Sequence, residues 1–242
     1  MAGRSRWYVT RHGVDRSLAT RPESLPAFAS YALRRVGDPA NTATDAELGV
    51  LHPRSVAARR AAFVAGRTAA HAALADIDRD VPSILAGAMR QPLWPSGIAA
   101  SLSHAGDVAV AMAAPLERTG GVGIDIEVTR PAPELWDQVP RAVEHRWLQA
   151  IGDAAERDRM LLALFSAKEA LYKAFFPRVG TWFGFEAVAL EPTPSGFVAA
   201  FVETVDEDYP PDRTFGLHSA WFGEFVRSWL VLPITTRMAP TG

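Results

Sequence analysis

The sequence predicts an α+β fold made of two similar units. Three observations point there. Two long alanine- and leucine-rich stretches, 55–76 and 156–176, carry helical patterning. Each is followed by a proline, Pro82 or Pro177, and then by short apolar runs of strand character. Shifting the chain by 102 residues lays the first helix on the second, with Phe63 on Phe165, Ala65 on Ala167, Ala72 on Ala174 and Arg67 on Glu169. The repeated order of elements predicts two α+β subdomains in pseudo-twofold arrangement, 1–117 and 118–242, each a long helix packed on an antiparallel sheet. Arg67 and Glu169 are then expected to face a shared cleft, where ligands often bind.

Taken in order, residues 7–10 read as an early strand and 26–36 as a short helix. DPANTATDAEL (38–48) reads as a loop entering a capped turn. The helix at 55–76 takes Ser55 as its expected cap. IAASLSH (98–104) and VAVAMAA (108–114) form a hairpin around AGD, and PLERTGG (115–121) is a link. GVGIDIEV (121–128) alternates as a strand. A helical region is expected over about 134–151, and the second long helix stops at Pro177. Strands close the chain at 185–191, 196–203, 214–222 and 225–234.

The 242 residues are 48% hydrophobic and 21% charged, as in ordinary globular proteins. A net charge of −2 supplies no field that would make nucleic acid the main partner. Without cysteine there are no disulfides, thiolate metal sites or cysteine nucleophiles, which suits a cytoplasmic location. The first residues lack an apolar core of signal-peptide length, and no apolar run approaches about 18 residues, so no membrane association is expected.

Among 25 basic side chains only two are lysines, Lys168 and Lys173, both in FSAKEALYK (165–173). In a chain that otherwise uses arginine, an ammonium kept here suggests a place where a compact point charge matters. Glu169 and Lys173 are i and i+4 and share a helix face. On GVGIDIE, Asp125 and Glu127 are i and i+2 and share a strand face. Two like charges side by side favour a cation between them, and oxygen ligands suit Mg²⁺. His104 ends a strand at a turn. Arg59 and Arg67 lie eight apart on the first long helix, close to one face.

These residues together resemble the 4′-phosphopantetheinyl transferases, the larger two-subdomain, monomeric type that activates surfactin and enterobactin synthetases. GVGIDIE followed by FSAKEALYK carries the likeness, with Glu169 forty-four residues after Asp125. RRAAFVAGR (59–67), WPSG (94–97), SLSHAGD (101–107) and WFGFE (182–186) stand in the family's order, so the resemblance covers roughly 55–190.

The resemblance implies that coenzyme A binds as co-substrate between the subdomains. A serine of an apo acyl or peptidyl carrier protein attacks its β-phosphate. The holo carrier forms and 3′,5′-ADP leaves. The carriers would belong to fatty acid, polyketide or nonribosomal peptide synthases. Asp125, Glu127 and Glu169 are the implied ligands of Mg²⁺, with Mn²⁺ as a substitute. Lys173 would hold the transferred phosphate and Lys168 would help at the diphosphate. His104 would bond a coenzyme A phosphate with Ser103 nearby. Arg59 and Arg67 would grip the 3′-phosphate and adenosine end, and Trp182 would line the pantetheine channel. Glu169 is the implied general base, which sets Glu169, Lys173 and His104 as the catalytic group. Several relatives place a lysine near ILAGAMR (84–90); this chain has Ala86 and Met89 there, so Arg90 is the expected substitute. Arg141, Arg146 and Trp147 are apolar and basic residues available for carrier docking. The competing readings are another Mg²⁺-dependent phosphotransferase or hydrolase acting on a nucleotide, and an inactive module that holds coenzyme A or a carrier.

Overall fold

A computed structural model describes residues 16–234 apart from 82, 131 and 212. The strand expected at 7–10 and the stop expected at Pro82 lie outside the described residues. Two antiparallel sheets meet edge to edge, and each carries one long helix. In the first lobe, α1 (Arg16–Ala19) leads to β1 (Ser30–Arg35), then α2 (Asp45–Leu48) and α3 (Ala57–Ala75). A hairpin of β2 (Ile98–Ala105) and β3 (Val108–Pro115) turns at Gly106, whose φ of 54° suits glycine. The strand order is β1-β3-β2.

Residues 26–36, expected as a short helix, instead contain β1. Its register against β3 runs from Ser30 opposite Ala113 to Arg35 opposite Val108, and that pairing overrides the helix preference of Ala, Leu and Arg. The capped turn forms at α2. Thr44 Oγ accepts from the Glu47 N–H at 3.2 Å, and a Glu47 carboxylate oxygen accepts from the Thr44 N–H at 2.9 Å. Ser55 does not cap α3: the N-cap is Val56, and Ser55 sits one residue too early, its N–H spent on the His52 carbonyl. Buried Ala69, Ala70 and Ala73 let α3 lie close to the sheet over Ile98 and Ala111.

The second lobe opens on β4 (Gly121–Val128). The helical region expected at 134–151 is two helices, α4 (Leu135–Gln138) and α5 (Ala142–Gln149), with Pro140 between them. Then α6 (Ala154–Val179) runs past Pro177. A proline in the final turn forfeits one N–H donor, and Gly180, left-handed at φ 70°, closes the helix by donating to the Phe176 carbonyl. A 3₁₀ turn (Phe185–Ala187) leads to β5 (Val188–Thr193), β6 (Gly196–Phe201), β7 (Thr214–Phe222) and β8 (Phe225–Leu232). The order is β4-β8-β7-β6-β5, so the second sheet has five strands against three in the first.

The lobes share one apolar core. Val108, Val110 and Met112 of β3 pack with Ile124 and Ile126 of β4 and with Phe225 and Trp229 of β8. Along the seam β2 and β4 are outer strands of separate sheets. Ser101 Oγ bridges them, accepting from the Ile124 N–H at 3.1 Å. Among the described residues no helix is long and apolar enough to cross a membrane.

Candidate active site

The glycines of GVGID place the site. A Cβ on Gly123 would overlap the Ala170 carbonyl, and one on Gly121 would meet the Ala174 carbonyl. Both glycines therefore let α6 press directly onto β4. That contact brings Glu169 and Lys173 of α6 beside Asp125 of β4. Ser103 arrives from β2, across the seam.

Asp125 is 2% exposed. Its Oδ1 accepts from Lys173 Nζ at 2.6 Å and from Ser103 Oγ at 2.8 Å, while Lys173 also donates to Ser103 Oγ at 3.1 Å. Asp125 Oδ2 is buried with no hydrogen-bond partner. Glu127 lies two residues on along the same strand face. Burial, and then the charge of Asp125, push its carboxyl up to about 7. Burial also raises the Glu169 carboxyl, against the pull of Lys173, with Asp125 adding to the rise. His104, at the end of β2, keeps an exposed edge, yet partial desolvation first and then the positive charges of Lys173 and Arg59 hold it below its usual value.

Beside this cluster a cleft of about 840 Å³ opens between α3, α6, β2 and the loop at 89–94. Arg59, Arg67, Arg90, His104, Glu169 and Lys173 all line it, so six of the residues singled out from sequence meet around one cavity. Arg59, Phe63 and Arg67 share a face of α3 at four-residue spacing, and the Arg67 guanidinium lies 4.5 Å over the Phe63 ring. Arg67 is 5% exposed, and its Nε has no hydrogen-bond partner. A buried, under-satisfied guanidinium on a cleft wall suits an anion. Arg90 adopts a left-handed φ of 63°, uncommon for a side-chain-bearing residue. Asp125 and Ser103 lie behind the wall and reach the cleft through Lys173.

Three expectations differ from the structure. Lys168 does not reach the cleft. It is 1% exposed, and its Nζ donates to Glu144 Oε2 at 2.7 Å and to the carbonyls of Phe185, Val139 and Val188 at 2.9, 3.1 and 3.2 Å. An ammonium enclosed in this way is unavailable to a diphosphate. Trp182 is 68% exposed on the loop after α6 and does not line this cleft. The convergence expected of Asp125, Glu127 and Glu169 on one metal ion is also not formed. Among the described residues no three His, Asp or Glu side chains gather closely enough to hold a metal. Lys173 occupies Asp125 instead. The donor set still fits a hard cation in kind: an orphaned buried carboxylate oxygen stands beside two carboxyl groups that burial first, and then the neighbouring Asp125 charge, push up.

Two residues of consequence carry no signal in the motifs. Glu47, 0% exposed, accepts from the Ile84 N–H and pairs with His71 at 2.8 Å, with Arg67 Nε 4.0 Å away. Glu144 is the buried partner of Lys168. The helix pattern holds a hint of it, since Leu161, Leu164, Lys168, Leu171 and Phe175 form one core stripe, and a lysine there needs an enclosed carboxylate. Of the carrier-docking candidates, Arg141 donates to the Glu186 carbonyl and Trp147 to the Leu190 carbonyl.

Comparison with known proteins adds an independent line. Residues 47–114 match the 4′-phosphopantetheinyl transferase N-terminal domain, and 121–226 match the 4′-phosphopantetheinyl transferase superfamily. The 4′-phosphopantetheinyl transferase Npt of Nocardia iowensis is 37% identical over 134 residues, covering 55% of this chain and 59% of that protein. PptT of Mycobacterium tuberculosis is 33% identical over 172 residues, 69% of this chain and 74% of that one. Enterobactin synthase component D of Escherichia coli is 36% identical over 166 residues, 65% of this chain and 76% of that one.

Proposed function

The chain belongs to the 4′-phosphopantetheinyl transferase superfamily, and from that premise we propose that it moves the 4′-phosphopantetheine group of coenzyme A onto a serine of an apo acyl or peptidyl carrier protein, releasing 3′,5′-ADP. The observation that carries this reading is the layout of the cleft. Arg59, Arg67 and Arg90 line the same cavity as His104, Lys173 and Glu169. A ligand with a diphosphate and a separate phosphate ester matches such a spread of cations.

Phosphoryl transfer asks chiefly for alignment and charge neutralisation. Arg67, already desolvated, binds an anion without further loss of hydration, and we assign it with Arg59 and Arg90 to the 3′-phosphate and adenosine end. His104, whose cationic form is disfavoured, donates an N–H to a phosphate oxygen. Lys173 neutralises the phosphate under attack. Glu169 takes the proton from the carrier serine, and its raised pKa makes it a stronger base than an ordinary carboxylate. Mg²⁺, held by Asp125 with Glu127 and Glu169, would supply Lewis-acid neutralisation of the diphosphate. We take the protein to be a monomer, as the larger type it resembles is, and to act in the cytoplasm, which the absence of cysteine suits. Carrier domains of fatty acid, polyketide or nonribosomal peptide synthases are the partner class.

The test is mass spectrometry of an apo carrier incubated with the enzyme, coenzyme A and MgCl₂, with and without EDTA. A gain of one phosphopantetheine group, lost with EDTA, is the expected result. An unchanged carrier with coenzyme A cleaved would replace this reading by hydrolysis.

A further inference from the structure

The Asp125 carboxylate holds one lysine and leaves one oxygen bare. Oδ1 takes both hydrogen bonds, from Lys173 and Ser103, while Oδ2 is buried without a donor. The two partners differ in freedom. The Asp125 side chain is 3% exposed and its strand is locked in register with β8, opposite Ser228. The Lys173 side chain is 27% exposed, lines the cleft and hangs on a flexible stem. Of the pair, the lysine is the member able to leave. Among the described residues Lys173 is the one cation in an ion pair with Asp125, Glu127 or Glu169, while Arg130 acts on Glu127 from further off.

We propose that Asp125 exchanges partners: Lys173 occupies it in the resting protein, and an arriving divalent cation takes the carboxylate and releases the ammonium into the cleft. This rests on the reading that a divalent cation binds here. A cation drawn to the bare Oδ2 pulls charge from the shared carboxylate and weakens its hold on the ammonium at Oδ1. A dication beside Lys173 Nζ also repels it. The displaced ammonium needs an anion, and the open side of the cleft is where a phosphate lies in the proposed complex. The cation and the phosphate ligand therefore assist each other's binding, and by linkage the assistance is equal in both directions. Ser103 stays with Asp125 throughout and keeps the carboxylate oriented after the lysine has gone.

The two-lysine composition makes the exchange observable. Protein labelled with ¹³C-lysine gives two sets of side-chain signals, and enclosed Lys168 serves as an internal reference. MgCl₂ is titrated in without coenzyme A, and binding is followed in parallel by calorimetry. The expected result is a saturable shift of the Lys173 Cε signal in step with bound Mg²⁺, while Lys168 stays still. Bound Mg²⁺ with an unmoved Lys173 signal overturns the proposal. Lys173→Met is expected to bind Mg²⁺ at least about fivefold more tightly than wild type without coenzyme A, the lower end of ordinary coupling between sites. Equal or weaker binding overturns the proposal, including the case in which neither protein takes up Mg²⁺. Carrier transfer is measured separately, so an active enzyme with a motionless Lys173 removes the exchange alone, and an inactive one removes the functional reading alone.

Discussion

Lys168 Nζ lies 2.7 Å from Glu144 Oε2, and neither side chain is exposed to solvent. The pair ties α5 to α6. Glu144 Oε1 also accepts from the Leu190 N–H at 2.8 Å, which extends the tie to β5.

Removing one partner leaves a buried, uncompensated charge. Lys168→Met is therefore expected to cost about 3–5 kcal/mol of stability. Burial already works against the ammonium, and the Glu144 carboxylate, with three carbonyls and the more distant Glu186, keeps it charged. Urea unfolding followed by circular dichroism measures the loss. The double variant Lys168→Met with Glu144→Leu is expected to recover most of it, since it strands no charge. An unchanged single variant would show that the pair is incidental.

Glu127 gives the metal-free protein a pH dependence whose direction follows from its raised pKa. Its ordinary value is 4.5 and its folded value about 7. Between these limits the folded chain holds a proton that the unfolded chain has released, so stability falls as pH rises through this window. Glu127→Gln removes the penalty. It is expected to be more stable than wild type by about 1–2 kcal/mol above pH 7, allowing for solvent screening of a partly exposed group, with the gap closing towards pH 4.5. Thermal unfolding in EDTA across pH 5–8 measures it. A wild type whose stability rises over that range would contradict the assignment.

Arg67→Ala tests the cation wall. Loss of one charge-assisted contact of about 1.5–3 kcal/mol raises KM for coenzyme A roughly 10- to 100-fold. The rate constant kcat should change little, because Arg67 is assigned to the end of the ligand remote from the reacting phosphate. Dephospho-coenzyme A, which lacks the 3′-phosphate, is expected to respond far less to the substitution. Equal losses with both ligands would move Arg67 away from that phosphate.

Gly123→Ala tests the contact between α6 and β4. The added methyl meets a backbone carbonyl, which cannot step aside as a side-chain end can. Overpacking of this kind costs about 1–3 kcal/mol. Because the contact sets Asp125 against Glu169 and Lys173, kcat is expected to fall more than KM rises. Steady-state kinetics on the folded fraction separates the two.

Much of this architecture was legible because its signals are local. The two long helices, the hairpin of β2 and β3, and β4 each declare themselves within about 20 residues. β1 did not, because its partner β3 lies some 80 residues away and sequence reading sees only the helix preference of Ala, Leu and Arg. Arg67 and Glu169 were readable as cleft residues from the repeated helices, whereas His104 and Lys173 were marked by the family resemblance. Lys168 was misassigned by its neighbourhood in FSAKEALYK: adjacency along a helix means a turn of about 100° around it, enough to separate a cleft wall from a core. Glu144 and Glu47 were silent, since a buried carboxylate is identified by what encloses it. The contact between Lys173 and Asp125 joins elements 48 residues apart and depends on how closely α6 sits on β4.

The enclosure of Lys168 also bears on laboratory handling. Reagents that acylate amines will find one reachable lysine side chain on this protein, and it lines the cleft. Random amine coupling, whether to a dye or to a sensor chip, is therefore expected to obstruct the proposed ligand site. The arginine-rich surface offers such reagents no harmless alternative apart from the chain's own α-amino group.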